Sequence, residues 1–250
     1  MARTEISITT ADGICPASIF TPSGQTVGPW PAVIFYMDGL AIRPVLWEMG
    51  QRLADSGYLV LLPDLFYRSG PYAPMNPAEI FSDPVKRDAM RAMVSAIGRE
   101  QKLTDTRAFL DYLASRSDVK GDRYGATGYC MGGNMALTAA GAFPERFACV
   151  ASFHGGNLAT DQPDSPHAHI AGFGGYVYVA GAIEDASFPE EQKLRLEAAL
   201  TEASVPHEVV TYEGAHHGFT MTDVPVYNRD AAERHWAALL TLLGETLAPA

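Results

Sequence analysis

Gly128-Tyr129-Cys130-Met131-Gly132-Gly133 decides how this chain reads. Before it, Asp122-Arg-Tyr-Gly-Ala-Thr suits a short strand, and after it Asn134-Met-Ala-Leu-Thr-Ala-Ala-Gly-Ala suits a helix of small residues. A strand, a tight turn carrying one reactive residue between glycines, and then a helix is the layout of a nucleophile elbow, in which Ser is usual and Cys stands here. The glycines are needed because side chains two residues either side of a strained turn would collide with it. The helix that follows aims its free N–H groups and positive dipole end at Cys130, which favours thiolate. Two other readings compete. Gly-rich turns between strand and helix also bind phosphates, and Cys is often a small buried hydrophobe. The chain lacks both G-x-G-x-x-G and G-x-x-x-x-G-K-[ST], and a dinucleotide fingerprint would follow the first strand rather than sit near residue 127.

The chain has 250 residues, enough for one domain (1–250) with a substantial core. It is 47% hydrophobic and 19% charged, an ordinary globular composition. A net charge of −11 argues against nucleic acid and against an anionic membrane surface. Met1-Ala-Arg-Thr-Glu-Ile-Ser-Ile has no apolar signal region. No run approaches the ~18 consecutive apolar residues of a membrane span. The three cysteines, Cys15, Cys130 and Cys149, are widely spaced and odd in number. That fits a reducing cytoplasm rather than a disulfide framework. Cys15 and Cys149 lie in apolar strand-like runs and read as packing residues.

Residues 4–10 and 14–20 read as strands around the turn Ala11-Asp12-Gly13. Apolar runs at 32–37 and 59–62 read as strands buried on both faces. A helical stripe runs over 44–58. Residues 66–83, rich in Pro, Gly and Tyr, read as an irregular loop whose length suggests function or mobility. Asp83-Pro84 reads as a helix start. Further helices are expected over 101–115, 189–203 and 228–246, and strands at 147–153, 176–180 and 207–212. Alternating strands and helices predict an α/β, mostly parallel doubly wound sheet, flanked by helices, with N-terminal antiparallel edge strands.

In such sheets the active site lies at the carboxyl ends of the strands. The residues there are Asp38-Gly39, Asp64, Cys130, His154, Asp185 and His217. Cys130, Asp185 and His217 follow in the order nucleophile, acid, base, 55 and 32 residues apart. α/β-hydrolases use that order. A base needs a partner that fixes its tautomer, and a nucleophile needs that base within hydrogen-bond reach. His154 could donate to a substrate carbonyl or leaving group, or make a structural hydrogen bond. There is no HExxH or CxxC, and His167-Ala-His169 is isolated, so neither a metal nor another cofactor is expected.

At this point the chain resembles the dienelactone hydrolase family of the α/β-hydrolase fold. The matching pieces are Gly-Tyr-Cys-Met-Gly-Gly at 128–133, Asp-Ala-Ser-Phe-Pro at 185–189 and Tyr-Glu-Gly-Ala-His-His-Gly-Phe at 212–219, with Pro63-Asp64-Leu65-Phe66 after Gly57-Tyr58. The resemblance implies a Cys-His-Asp triad. It places the base on His217 rather than His216 and the acid on Asp185 rather than Glu184. It implies an oxyanion hole from the N–H groups of Met131 and Gly39, or alternatively Leu40. Asp38 falls where the family has a carboxylate that contacts the resting thiol; otherwise it caps the turn before Gly39. Of the two arginines with which the family grips a substrate carboxylate, one position is Met221 here. The other falls at Arg87, with Arg91 one turn on, a pair that would clamp an anion or else form a solvated helix face. Tyr67 and Tyr72 are candidates for the pocket wall, and Tyr129 for packing. The implied activity is hydrolysis of a small-molecule ester or lactone through a thioester, by a cytoplasmic monomer or homodimer. A Cys-dependent acyltransferase and a non-catalytic binder are the alternatives.

Overall fold

Ala32–Tyr36 (β3), Leu59–Pro63 (β4) and Tyr124–Tyr129 (β5) are buried at every position. That is the burial expected of apolar runs covered on both faces of a parallel sheet. The computed structural model describes residues 2–24 and 27–247. The remaining strands are Ala2–Thr10 (β1), Gly13–Thr21 (β2), Phe147–Phe153 (β6), Tyr176–Ala182 (β7) and His207–Tyr212 (β8). They form an eight-stranded sheet in the order β1-β2-β4-β3-β5-β6-β7-β8. The first two pairings, β1 with β2 and β2 with β4, are antiparallel, and all others are parallel. The expected antiparallel edge is therefore the β1–β2 hairpin, turning at Gly13 with φ 141°.

The helices are Pro44–Ala54 (α1), Pro77–Ser82 (α2), Pro84–Ser95 (α3), Arg99–Ala114 (α4), Met131–Ala142 (α5), Glu190–Glu202 (α6) and Arg229–Leu247 (α7). The ends of α4, α6 and α7 agree with the sequence expectation to within two residues, the usual fraying margin, whereas α1 stops four residues short of its expected end and α2 was not expected. Helix α1 reaches α7 through Arg52, which bonds both oxygens of Glu233. Helices α5 and α6 both pack on the short turn Pro166–His169, and α4 packs on α5. Tyr129 sits in the middle of the core, its ring 4.8 Å from Phe35 and 5.8 Å from Phe153. Its hydroxyl hydrogen-bonds His235 Nε2 at 2.9 Å, so the buried polar tip is satisfied.

The stretch 66–83 is more ordered than an irregular loop. It contains a 3-10 turn at Tyr67–Ser69 and α2, whose N-cap Asn76 accepts from the Ala78 N–H. The hydroxyls of Tyr67 and Tyr72 anchor this stretch. Tyr67 donates to the buried Asp105 at 2.8 Å and Tyr72 to Asp64 at 2.8 Å. Arg68 adds two bonds to Asp105 and two to Asp12. Asp83 caps α3 as its sequence suggests, accepting from Val85 and Lys86. Among the described residues no helix is long and apolar enough to cross a membrane.

Candidate active site

Cys130 occupies the turn between β5 and α5 at φ 56°, ψ −117°. A non-glycine residue held there stores about 1–3 kcal/mol of strain, which its surroundings must over-determine. They do so through backbone contacts. A Cβ on Gly128 would lie 2.0 Å from the Gly132 carbonyl oxygen, and one on Gly132 would lie 2.2 Å from that of Tyr36. A Cβ on Gly133 would lie 2.2 Å from Ser152 Oγ. The elbow glycines thus let β5, the start of α5 and the end of β3 touch backbone to backbone. Around Cys130 itself, its N–H donates to the Phe153 carbonyl, while its own carbonyl accepts from Gly133 and Gly156.

Its thiol differs in setting from the other two. Cys15 and Cys149 are fully buried and Cys130 is not. Burial pushes the Cys149 thiol up to about 12, only partly offset by Thr246, and burial drives Cys15 up as well. Both are packing residues, as their apolar contexts suggest.

His217 stands in the loop after β8, near enough to Cys130 for that residue to raise its pKa. Its Nδ1 donates to Asp185 Oδ2 at 2.7 Å, and Asp185 sits after β7. Neighbouring His216 and Glu184 are exposed, so the geometry favours His217 and Asp185 over these rivals. Ser187, absent from the sequence reading, holds the other carboxylate oxygen: its Oγ donates to Asp185 Oδ1 at 2.6 Å and its N–H to the same atom at 2.9 Å. The signal was the D-x-S pattern, in which a carboxylate accepts from the backbone two residues on. Burial alone would lower the His217 pKa; Cys130 and Asp185 outweigh it and raise it to about 10. Burial raises the Asp185 carboxyl, but the bonds from His217 and Ser187 bring it below the ordinary range. The arrangement sets the His217 ring between the Asp185 carboxylate and the elbow residue.

The turn after β3 supplies the second wall. Gly39 is covered by α3, since a Cβ there would lie 3.2 Å from Val94 Cγ2 and 3.5 Å from Met90 Sδ. The Leu40 N–H donates to Asp38 Oδ1 at 3.0 Å, so it is already engaged by a carboxylate. The expectation that Asp38 contacts the thiol does not match its hydrogen bonds. Both carboxylate oxygens are engaged by Arg43, at 2.6 and 2.8 Å, and Asp38 takes the turn-capping role. The physical reason is the guanidinium five residues on, a stronger partner for a buried carboxylate than a thiol.

His154, at φ 39°, is fully buried. Its Nε2 hydrogen-bonds Thr220 Oγ1 at 2.7 Å, and its ring packs edge-on against His217 and Phe219. Burial, then the positive neighbour His217, holds its pKa well below the ordinary value, so it stays neutral. The structural hydrogen bond is the role seen, and donation to substrate does not fit a side chain this enclosed. Arg91 is 68% exposed and faces Asp88 at 3.7 Å, while Arg87 donates to the Phe81 carbonyl. Neither of these contacts forms an anion clamp over Cys130. Met221 is buried, its backbone N–H donating to the Gly218 carbonyl.

With this geometry in place, the comparisons with known proteins can be read. The model of the dienelactone hydrolase family matches residues 15–247. A carboxymethylenebutenolidase from Rhodococcus opacus is 29% identical over 207 residues, covering 81% of this chain and 73% of its own. A Synechocystis protein carrying that name provisionally is 27% identical over 213 residues, covering 84% of each. A provisionally named dienelactone hydrolase structure from Klebsiella pneumoniae superposes with a TM-score of 0.80 at 23% identity, covering 97% of this chain and 98% of its own. The chain belongs to the dienelactone hydrolase family and is an ester or lactone hydrolase with the α/β-hydrolase fold.

Proposed function

We propose that the chain hydrolyses activated esters or lactones in the cytoplasm through a thioester on Cys130. The Cys130 thiolate attacks the acyl carbon. The N–H groups of Met131 and Gly39 stabilise the oxyanion. As the tetrahedral adduct collapses, the C–O bond to the leaving group breaks and His217 delivers its proton to the departing alkoxide or enolate. Neutral His217 then takes a proton from water, whose oxygen attacks the thioester; Cys130 leaves as thiolate and the acid is released. Asp185 keeps the His217 ring oriented, and Ser187 keeps Asp185 oriented.

The observation that carries this reading is the 2.7 Å hydrogen bond between His217 and Asp185, with Cys130 beside His217 on an elbow that leaves this cysteine partly open. The same arrangement favours activated substrates. A tetrahedral adduct expels thiolate more readily than alkoxide, so simple alkyl esters return to reactant. The face of α3 over Gly39 carries Met90 and Val94, which suits neutral acyl groups.

The test is a panel of enol lactones and aryl esters, with and without a carboxylate, run on the wild type and Cys130→Ala. Activated substrates should turn over in the wild type only, with no preference for the anionic members. A Cys130→Ala protein that keeps its rate would exclude the nucleophile assignment. Faster turnover of long-chain triglycerides than of lactones would exclude the substrate class.

A further inference from the structure

Arg43 is the last residue before α1, and its side chain is 5% exposed. Two carboxylates and a carbonyl surround it. Nη1 and Nη2 donate to the two oxygens of Asp38 at 2.6 and 2.8 Å, a fork-on-fork pair. Nε donates to Asp223 Oδ2 at 2.6 Å and Nη2 to Asp223 Oδ1 at 3.3 Å. Nη1 also reaches the Ala41 carbonyl at 3.2 Å. Asp38 in turn accepts the Leu40 N–H, and Ala41 is held at φ 65°. One guanidinium therefore fastens the 38–41 turn at two points and reaches the loop that carries His217, which runs on to Asp223.

These two segments leave different strands, β3 and β8, which are four places apart in the sheet. Nothing in strand pairing sets the Gly39 N–H against the His217 ring. A planar cation with five donors can hold both carboxylates at once, whereas an ammonium is a point charge without that fork. Without a cation between them, Asp38 and Asp223 would repel across a poorly solvated gap.

We infer that Arg43 is a positioning residue, which fixes the Gly39 peptide for the oxyanion and ties that turn to the loop bearing His217. The inference rests on the acyl-transfer reading above. It separates two properties that a general loss of structure would join. Acyl transfer needs the oxyanion donors, whereas alkylation of Cys130 by iodoacetamide needs only the thiolate: an S–C bond forms, a C–I bond breaks and iodide leaves, with no oxyanion.

The experiment compares wild type, Arg43→Lys and Asp223→Asn in kcat and KM for p-nitrophenyl acetate and in the iodoacetamide rate at Cys130, with circular dichroism as the folding control. For Arg43→Lys the expected fall in kcat is about 10²–10³-fold, the effect of losing one oxyanion donor. KM and the alkylation rate should stay within about threefold of wild type, as for a change confined to transition-state binding. Asp223→Asn keeps the Asp38 fork and should lose less kcat, again with alkylation unchanged; it carries the test if Arg43→Lys does not fold. A kcat near the wild-type value in folded Arg43→Lys, or in Asp223→Asn when only that variant folds, overturns the inference. So does a parallel fall in kcat and alkylation. A wild type without Cys130-dependent turnover would instead remove the acyl-transfer reading.

Discussion

At Gly132 a single added methyl carbon would sit 2.2 Å from the Tyr36 carbonyl oxygen. On α3, which lies over Gly39, no residue is buried and Val85 is 78% exposed. These regions bound the same site and are held by different forces. The elbow is set by backbone touching backbone, a strained φ at Cys130 and hydrogen bonds to its own peptide groups. The cover rests, in α2, on the buried Ile80 and, in both helices, on end caps, the partly buried Met90 and Val94 of α3, and exposed ion pairs such as Lys86 with Glu79. Exposed pairs of that kind contribute about 0–1 kcal/mol. The elbow is thus the part of the site least able to change, and the cover over Gly39 is a part that can change cheaply.

Substitutions should respect that division. The largest effect is expected at the acid. Asp185→Asn should leave the fold intact and lower kcat by about 10⁴-fold, because the amide favours the wrong tautomer of His217. A variant within tenfold of wild type would mean that the acid lies elsewhere. Next is the charge on His217. Its folded pKa of about 10 lies above the ordinary 6.5. Its contribution to stability is therefore complete below pH 6.5 and is lost as pH rises through about 10. The difference in urea unfolding free energy between wild type and His217→Gln should shrink across that window. A difference that grows toward alkaline pH would reverse the assignment.

Third, Gly132→Ala should destabilise by about 1–3 kcal/mol as an overpacking change, read as a drop in the thermal midpoint. Unchanged stability would show that the elbow can relax. The smallest effect is expected on the cover, where Val85→Ser and Arg91→Ala should each stay within about 0.5 kcal/mol. A several-fold change in KM with Arg91→Ala, seen only for carboxylate-bearing substrates, would restore a role for that arginine in anion binding.

The elbow was legible in the sequence because its physics is local: glycines at fixed offsets from a reactive residue, between a strand and a helix. Asp185 and His217 were legible because each follows an apolar run that reads as a strand, and strand ends meet at one edge. The contacts of Asp38 were not legible. Its position matches the family carboxylate, but its partner is fixed by Arg43, whose other partner Asp223 is 180 residues away. Likewise His154 was placed at a strand end without its enclosure, because burial depends on Phe219 and Thr220 from another strand's loop. Helix α2 hid in a Pro-rich stretch, although its Asn76-Pro77 start is a capping signal. A six-residue helix shows too few turns for periodicity to register.

The most direct test of the central claim is to quench the enzyme with acid during turnover of p-nitrophenyl acetate and map the acyl group by peptide mass spectrometry. The account predicts an acetyl adduct on the peptide containing Cys130, labile to hydroxylamine as a thioester and missing from Cys130→Ala. An acetyl group on any other residue that forms and decays at the rate of turnover would contradict it.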